Sequence, residues 1–259
     1  MEQFDSAIFF DNDQGYLDDV KLKCPGVTRV KVNETRPLRK SSLNNGPLKD
    51  LMDSLHSEST ENSYNKLQNS YVTFLRDYKN WVPSYYPESG IQNADIQKYD
   101  RWASTTNGKR ILLLDWDLTL SMFDGLELPS EGEQENTLFN RLLIKPKDIA
   151  IFYLGGHERF RMITEWLKTV VKSGVYIAVL TNNTGAKGTL FKQIVAEIIP
   201  KGSYEIIAST FSPHNGDKGE ALASDPRFGR LCIKTGGKRK RQTRRVRKSR
   251  KYKKTYKIE

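Results

Sequence analysis

The chain has 259 residues, 37 % of them hydrophobic and 10 % aromatic, enough for one large domain, or one domain plus extensions, with a real buried core. No run of about 20 apolar residues occurs, which excludes a membrane-spanning helix, and the acids near the start, where a signal peptide would carry bases, argue against secretion. The formal charge of +11 is not spread over the chain: residues 236–259 hold 13 Lys or Arg and one acid, a net +12 that leaves the remainder at −1.

In chain order, Ala7 to Phe10 is an apolar run ending in Asp11, Asn12 and Asp13, and it predicts a buried strand tipped with acids. A short helix and a second strand, Val27 to Val32, follow. The stretch "NETRPLRKSSLNNGP" then breaks the pattern. A helix over 47–56 starts at Pro47 and carries Leu48, Leu51, Met52 and Leu55 on one face. A longer one carries Tyr64, Leu67, Tyr71, Leu75 and Tyr78, a packing stripe that ends before Pro83 and Pro87.

From Lys109 the pattern turns α/β. Ile111 to Leu114 predicts a second buried strand. Residues 121–156, with "LPSEGEQEN", read as a loop or small flap. Phe160, Ile163, Leu167 and Val170 define an amphipathic helix stopped at Gly174. A strand over 175–180, a helix over 187–199, a strand over 205–208 and helical turns over 219–224 complete the pattern. Alternating strands and helices imply a parallel sheet covered on both faces. The basic block from Gly236 to Glu259 buries no core and repels itself, so it is expected to be disordered when free. Cys24 and Cys232, with no CxxC spacing, are expected as two free thiols in a reducing compartment.

The residue types that carry chemistry sit at strand ends, where open α/β sheets bind ligands. In "DWDLT", Asp115 follows an aliphatic strand and can attack phosphorus. Asp117 can protonate a leaving oxygen and then activate water, and Thr119 can hold the turn. In "VLTNN", the Thr181 hydroxyl suits a phosphoryl oxygen and Asn182 adds an amide donor, although Asn183 or Thr184 can equally cap a helix. Lys218, in "HNGDKGEAL", can neutralise a nucleophile and a transferring phosphoryl group; Lys187 is a competing lysine. His157 and His214 read as loop residues with no catalytic part.

Asp115-x-Asp117-x-Thr119, Thr181 after a strand and then Lys218 resemble the first three motifs of the haloacid dehalogenase superfamily. The likeness is nearest to its small magnesium-dependent phosphatases with an aspartate nucleophile. The family's fourth motif, a strand ending in metal-holding acids, has no counterpart after Lys218. "FFDN" with the helix and "GVTRVKV" resembles that missing motif, placed at the start of the chain. The resemblance therefore implies a circularly permuted, Rossmann-like, five-stranded parallel sheet with the order 28–32, 7–10, 111–114, 176–180, 205–208.

It implies domains at 1–32 and 109–235, the linker 33–108 between them, the flap at 121–156, and the tail 236–259. It implies Mg²⁺ held by Asp115, Asp117 and Asp11, with Asn12 in place of a usual acid and Asp13 as a substitute. It also implies catalysis by Asp115, Asp117 and Lys218, with Thr181, Asn182 and Thr119 on the substrate. The function so implied is hydrolysis of a phosphomonoester through an aspartyl-phosphate, on a macromolecule such as a phosphoprotein. Two alternatives stand beside it: a nucleic-acid-end phosphatase, and an inactive domain tethered to a polyanion. The tail fits nucleic acid or another polyanion, with Tyr252 and Tyr256 able to stack on bases. Its Gly-Gly hinge and basic run are similar to tails on proteins of large cytoplasmic DNA viruses. The expected location is intracellular, cytoplasmic or nuclear, with a virion or viral factory implied by that likeness.

Overall fold

The computed structural model describes residues 2–33, 90–121, 145–182, 186, 188–209 and 216–233, the side chain of Phe152 excepted. The helices expected over 47–56 and 64–78, Lys187, His214, most of the flap and the basic tail lie outside the described residues.

Five strands form one parallel sheet: β1 (Ser6–Asp11), β2 (Val27–Lys31), β3 (Arg110–Leu114), β4 (Tyr176–Thr181) and β5 (Tyr204–Ala208). Its order is β2-β1-β3-β4-β5, the order expected from the sequence, with every neighbouring pair parallel. The register sets Ala7 against Ile111 and Phe10 against Leu114, so β1 and β3 end side by side although they lie a hundred residues apart.

The helices are α1 (Gln14–Lys23), α2 (Asn93–Thr105), α3 (Pro146–Tyr153), α4 (His157–Lys172), α5 (Thr189–Ile198) and α6 (Lys218–Ser224). Alternate strand residues point to opposite faces, and two cores result. Ile8, Phe10, Leu112, Leu114, Ile177 and Val179 pack under α2, α3, α4 and α5. Ala7, Phe9, Ile111, Leu113, Ala178 and Leu180 pack under α1 and α6. Phe9 and Phe10 are wholly buried, one on each face; each contributes about 1.5–3 kcal/mol of transfer free energy.

Two helices differ from the sequence reading. The last part of the expected linker is α2, whose Tyr99 and Trp102 are buried in the first core. The last part of the expected flap is α3, which packs against α5. Ile149 and Ile151 are buried on it, an apolar run hidden in the sequence by its polar surroundings.

Cys24 and Cys232 are not free thiols; they are joined by a disulfide across a sequence separation of 208. Backbone pairing brings them together. The Gly26 N–H donates to the Leu231 carbonyl at 2.9 Å, and the Ile233 N–H to the Lys23 carbonyl at 2.8 Å. Nearby, the Phe4 N–H donates to the Arg227 carbonyl at 2.8 Å, so the segment before β1 pairs with the segment after α6. Two free thiols, the feature that pointed to a reducing compartment, are therefore not present. Among the described residues no helix is long and apolar enough to cross a membrane.

Candidate functional site

The sheet has one topological switch point. From β1 the chain moves outward to β2 over α1, and from β3 it moves the other way to β4 and β5. The crevice at the carboxyl ends of β1 and β3 is where such sheets bind ligands. Asp11 ends β1 and Asp115 follows β3, and both are buried.

Lys218 opens α6 and joins them. Its ammonium donates to Asp11 Oδ2 at 2.8 Å and to Asp115 Oδ1 at 2.6 Å, with its own side chain 1 % exposed. The local sequence explains its reach. Asp217 caps α6 by accepting the Glu220 N–H at 2.8 Å, and it pairs with Lys23 of α1. Gly219 follows, where a Cβ would lie 2.7 Å from the Asp19 carbonyl oxygen; glycine lets the two helices approach closely enough to bury Lys218.

The charges do not balance within this cluster. Burial pushes the Asp11 carboxyl up, the Asp115 charge adds to that, and Lys218 opposes both, leaving it at about 7. Burial pushes Asp115 up to about 6, against the pull of Lys218 and with the Asp117 charge adding to the rise. Burial disfavours the Lys218 ammonium, but the charges of Asp115 and Asp11 outweigh it and raise its pKa. One buried cation thus faces more negative charge than it offsets.

After Asp115 the chain does not enter an ordinary helix. The Leu120 N–H reaches the Asp115 carbonyl at 3.2 Å and the Ser121 N–H reaches that of Trp116 at 2.8 Å, a wide turn closed by five-residue steps. Leu118 takes φ 54°, a left-handed conformation that costs a non-glycine residue about 1–2 kcal/mol. Such strain is found where surrounding structure enforces it. Arg159 of α4 supplies that structure. It donates to the carbonyls of Thr119 at 3.1 Å, Leu120 at 2.9 Å and Leu154 at 3.0 Å, and burial lowers its pKa to about 10. Gly90, at φ +72°, lies against it; a Cβ there would collide with Arg159 Nη2 and the Thr119 carbonyl. The turn sets the Asp117 charge beside Asp115 and near Tyr153, whose phenol is raised well above its usual pKa by burial and then by that charge.

The remaining expected site residues are placed as follows. Thr119 is buried; its hydroxyl accepts the Asn12 N–H at 3.2 Å and donates to Asn12 Oδ1 at 3.4 Å, locking the β1 and β3 loops together. Asp13 is exposed and caps α1, accepting the N–H groups of Gly15 at 2.6 Å and Tyr16 at 3.3 Å. Thr181 ends β4 and is buried. Asn182 has both amide hydrogens engaged, on Tyr16 Oη at 2.6 Å and on the Gly216 carbonyl at 2.9 Å, while its Oδ1 accepts from Ser209 Oγ. It ties α1, β4 and the approach to α6 together. Lys218 is placed on the carboxylates, and the competing Lys187 lies outside the described residues. His157 is exposed at the start of α4.

Sequence reasoning misses Tyr16, Ser209, Arg159 and Tyr153. All four act across elements, and none sits in a spacing that marks it.

The donor chemistry suits a hard divalent cation: carboxylate oxygens of Asp11 and Asp115, a third acid two residues on, and excess negative charge. Among the described residues, no three His, Cys, Asp or Glu side chains are gathered into a metal-holding group. The fit therefore rests on the two bridged carboxylates with backbone oxygen and water for the rest.

Comparison with known proteins adds nothing to the geometry: no family model, curated protein or solved structure matches this chain.

Proposed function

We propose that this chain is a Mg²⁺-dependent phosphatase that hydrolyses a phosphomonoester through an aspartyl-phosphate on Asp115, built on a circularly permuted core of the haloacid dehalogenase type. The observation that carries the reading is the Lys218 ammonium between Asp11 and Asp115 at the switch point of a parallel sheet. Three charged side chains from three distant parts of the chain are buried against one another there, where a fold gains little stability from them. Perturbed charges gathered in a strand-end crevice support a functional reading of the site.

In the first step, a carboxylate oxygen of Asp115 forms a bond to phosphorus as the ester P–O bond breaks. The departing oxygen takes the proton of the Asp117 carboxyl. In the second step, Asp117 takes a proton from water. The water oxygen attacks phosphorus, the bond to Asp115 breaks, and inorganic phosphate leaves with both acids restored. Lys218 holds Asp115 in place and offsets charge as the phosphoryl group moves. Asp11, Asp115 and the Asp117 carbonyl are the groups that would hold Mg²⁺, which when bound supplies positive charge against the phosphoryl oxygens. Asp13, spent on its helix cap, is not needed for that set, and Asn12 serves to join the two loops.

The pairing of the β1–α1–β2 unit with β3 in one sheet supports the permuted reading. A short insertion after Ser121 favours an open site and a macromolecular substrate such as a phosphoprotein. The basic tail is the feature that favours a nucleic-acid end instead.

The test is phosphate release, with and without Mg²⁺, from phosphopeptides and from 3′-phosphorylated oligonucleotides. Mg²⁺-dependent release from phosphopeptides is the expected result. Preference for the oligonucleotides moves the reading to the nucleic-acid end. No release from either, or from a small aryl phosphate, leaves a tethered inactive domain and ends the enzymatic reading.

A further inference from the structure

Tyr16 lies in the first turn of α1, one turn beyond Asp11, and is half-buried. Its ring covers the Lys218 ammonium, with Nζ 4.2 Å from the ring centroid, inside the range where a cation is held by the aromatic face. Its hydroxyl meets the Asn182 side chain at 2.6 Å. The direction of that bond is fixed by a third group. The Gly216 carbonyl can only accept, so the Asn182 atom 2.9 Å from it is the amide nitrogen. That nitrogen has two hydrogens. One goes to Gly216 and the other to Tyr16, while Asn182 Oδ1 faces the Ser209 hydroxyl. The phenol oxygen is therefore an acceptor toward Asn182, and its own proton must point elsewhere. No acceptor for it is found among the described residues.

We propose that Tyr16 is a substrate-binding residue of this site, its phenol O–H donating to an oxygen of the phosphoryl group that stands before Asp115 and Lys218. This deepens the phosphatase reading and rests on it for the identity of the anion. Asn182 is then a positioning residue that fixes the phenol, and not itself a donor to substrate. The aromatic face shields Lys218 from water on one side, and the hydroxyl carries the polar contact at the ring's rim. A neutral donor fixed in advance suits a phosphoryl group whose charge grows in the transition state. It adds no further cation beside Lys218.

The experiment is Tyr16→Phe, which keeps the ring over Lys218 and removes only the hydroxyl. Two readouts are taken in the presence of Mg²⁺: turnover of a small aryl phosphate, and binding of orthovanadate by calorimetry. The expected result is a fall of about 10-fold or more in both kcat/KM and vanadate affinity, with the fold retained and the thermal midpoint lowered only by the loss of the Asn182 hydrogen bond. Tyr16→Leu, which also removes the ring, is expected to lose more. Wild-type protein that is active, with Tyr16→Phe equal to it in both readouts, overturns the role of Tyr16 and leaves the phosphatase reading standing. Wild-type protein without turnover that still binds vanadate, more weakly in Tyr16→Phe, supports the contact and removes the phosphatase reading. Absence of both turnover and vanadate binding overturns both.

Discussion

β1 and β3 are built alike. Each is an apolar strand in the middle of the sheet, and each leads to a buried aspartate that accepts from Lys218. They differ in what the chain does next. After Asp11 comes a short bend and a regular helix, and the Asp13 N–H donates to Asp11 Oδ1 at 2.8 Å. Both oxygens of Asp11 are thereby held, one by backbone and one by Lys218. After Asp115 comes the wide turn, with Leu118 in a left-handed conformation and a second acid two residues on. The same strand end thus yields a carboxyl with both oxygens held in one case and an acid with a companion in the other. Local backbone after the strand, more than the aspartate itself, distinguishes the two sites.

That contrast can be broken at several points. The largest effect is expected from Asp115→Asn, which should abolish turnover and any acid-stable phosphoenzyme, since an amide does not attack phosphorus. Asp11→Asn should reduce turnover yet still trap a phosphoenzyme. If the trapped species instead vanishes with Asp11→Asn and persists with Asp115→Asn, the roles are reversed. Asp117→Asn should cost roughly 10²–10⁴-fold in kcat, the range for losing general acid–base help.

Next comes stability. Lys218→Met leaves two buried carboxylates without their cation, and the expected loss is about 3–5 kcal/mol in chemical denaturation. Adding Asp11→Asn to it should restore part of that, because the residues are in contact and their effects do not add.

Much of this architecture is legible in the amino-acid sequence. Phe9-Phe10 and Ile111 to Leu114 announce central strands because nothing polar interrupts them, and Asp115, Asp117 and Lys218 stand out by type and order along the chain. α2 is hidden because Ile96, Tyr99 and Trp102 are spaced among charged residues in a stretch that otherwise reads as linker. The Asn182 network is hidden because an amide at a strand end looks like a ligand donor until its partners, Tyr16 and Gly216, are known to surround it. The disulfide joins residues 208 apart and leaves no local trace.

A smaller effect is expected with pH. Burial, then the Asp115 charge, raise the folded pKa of Asp11 from 3.8 to about 7. The folded state therefore binds this proton more tightly than the unfolded state. The stability it brings is full below about pH 4 and is lost as pH rises through 7. In metal-free protein the thermal stability of wild type, measured relative to Asp11→Asn, should fall across that window by on the order of 1 kcal/mol or more. A flat difference would show that burial and the Asp115 charge do not raise the Asp11 carboxyl. Mg²⁺ added above pH 7 should raise the wild-type midpoint and leave Asp11→Asn nearly unmoved.

The smallest effect on catalysis is expected from deleting residues 236–259. Folding and turnover of a small substrate should be nearly unchanged. Any binding of the full chain to nucleic acid should be greatly weakened by the deletion and should fall steeply with salt, each neutralised phosphate contributing about −0.9 to the log–log slope on duplex DNA.

The bond between Cys24 and Cys232 turns most of the chain into a covalent ring. Asp11 lies on the segment leading into the ring, and Asp115 and Lys218 lie within it. A protease site engineered anywhere between residues 34 and 89 would open the ring and leave two pieces, one bearing Asp11 and the other bearing Asp115 and Lys218. Those pieces would remain one molecule on a non-reducing gel and part only when thiol is added. The two halves of the site can in this way be severed in sequence while still tethered in space, and the strength of their packing alone can be read from what happens when the tether is reduced.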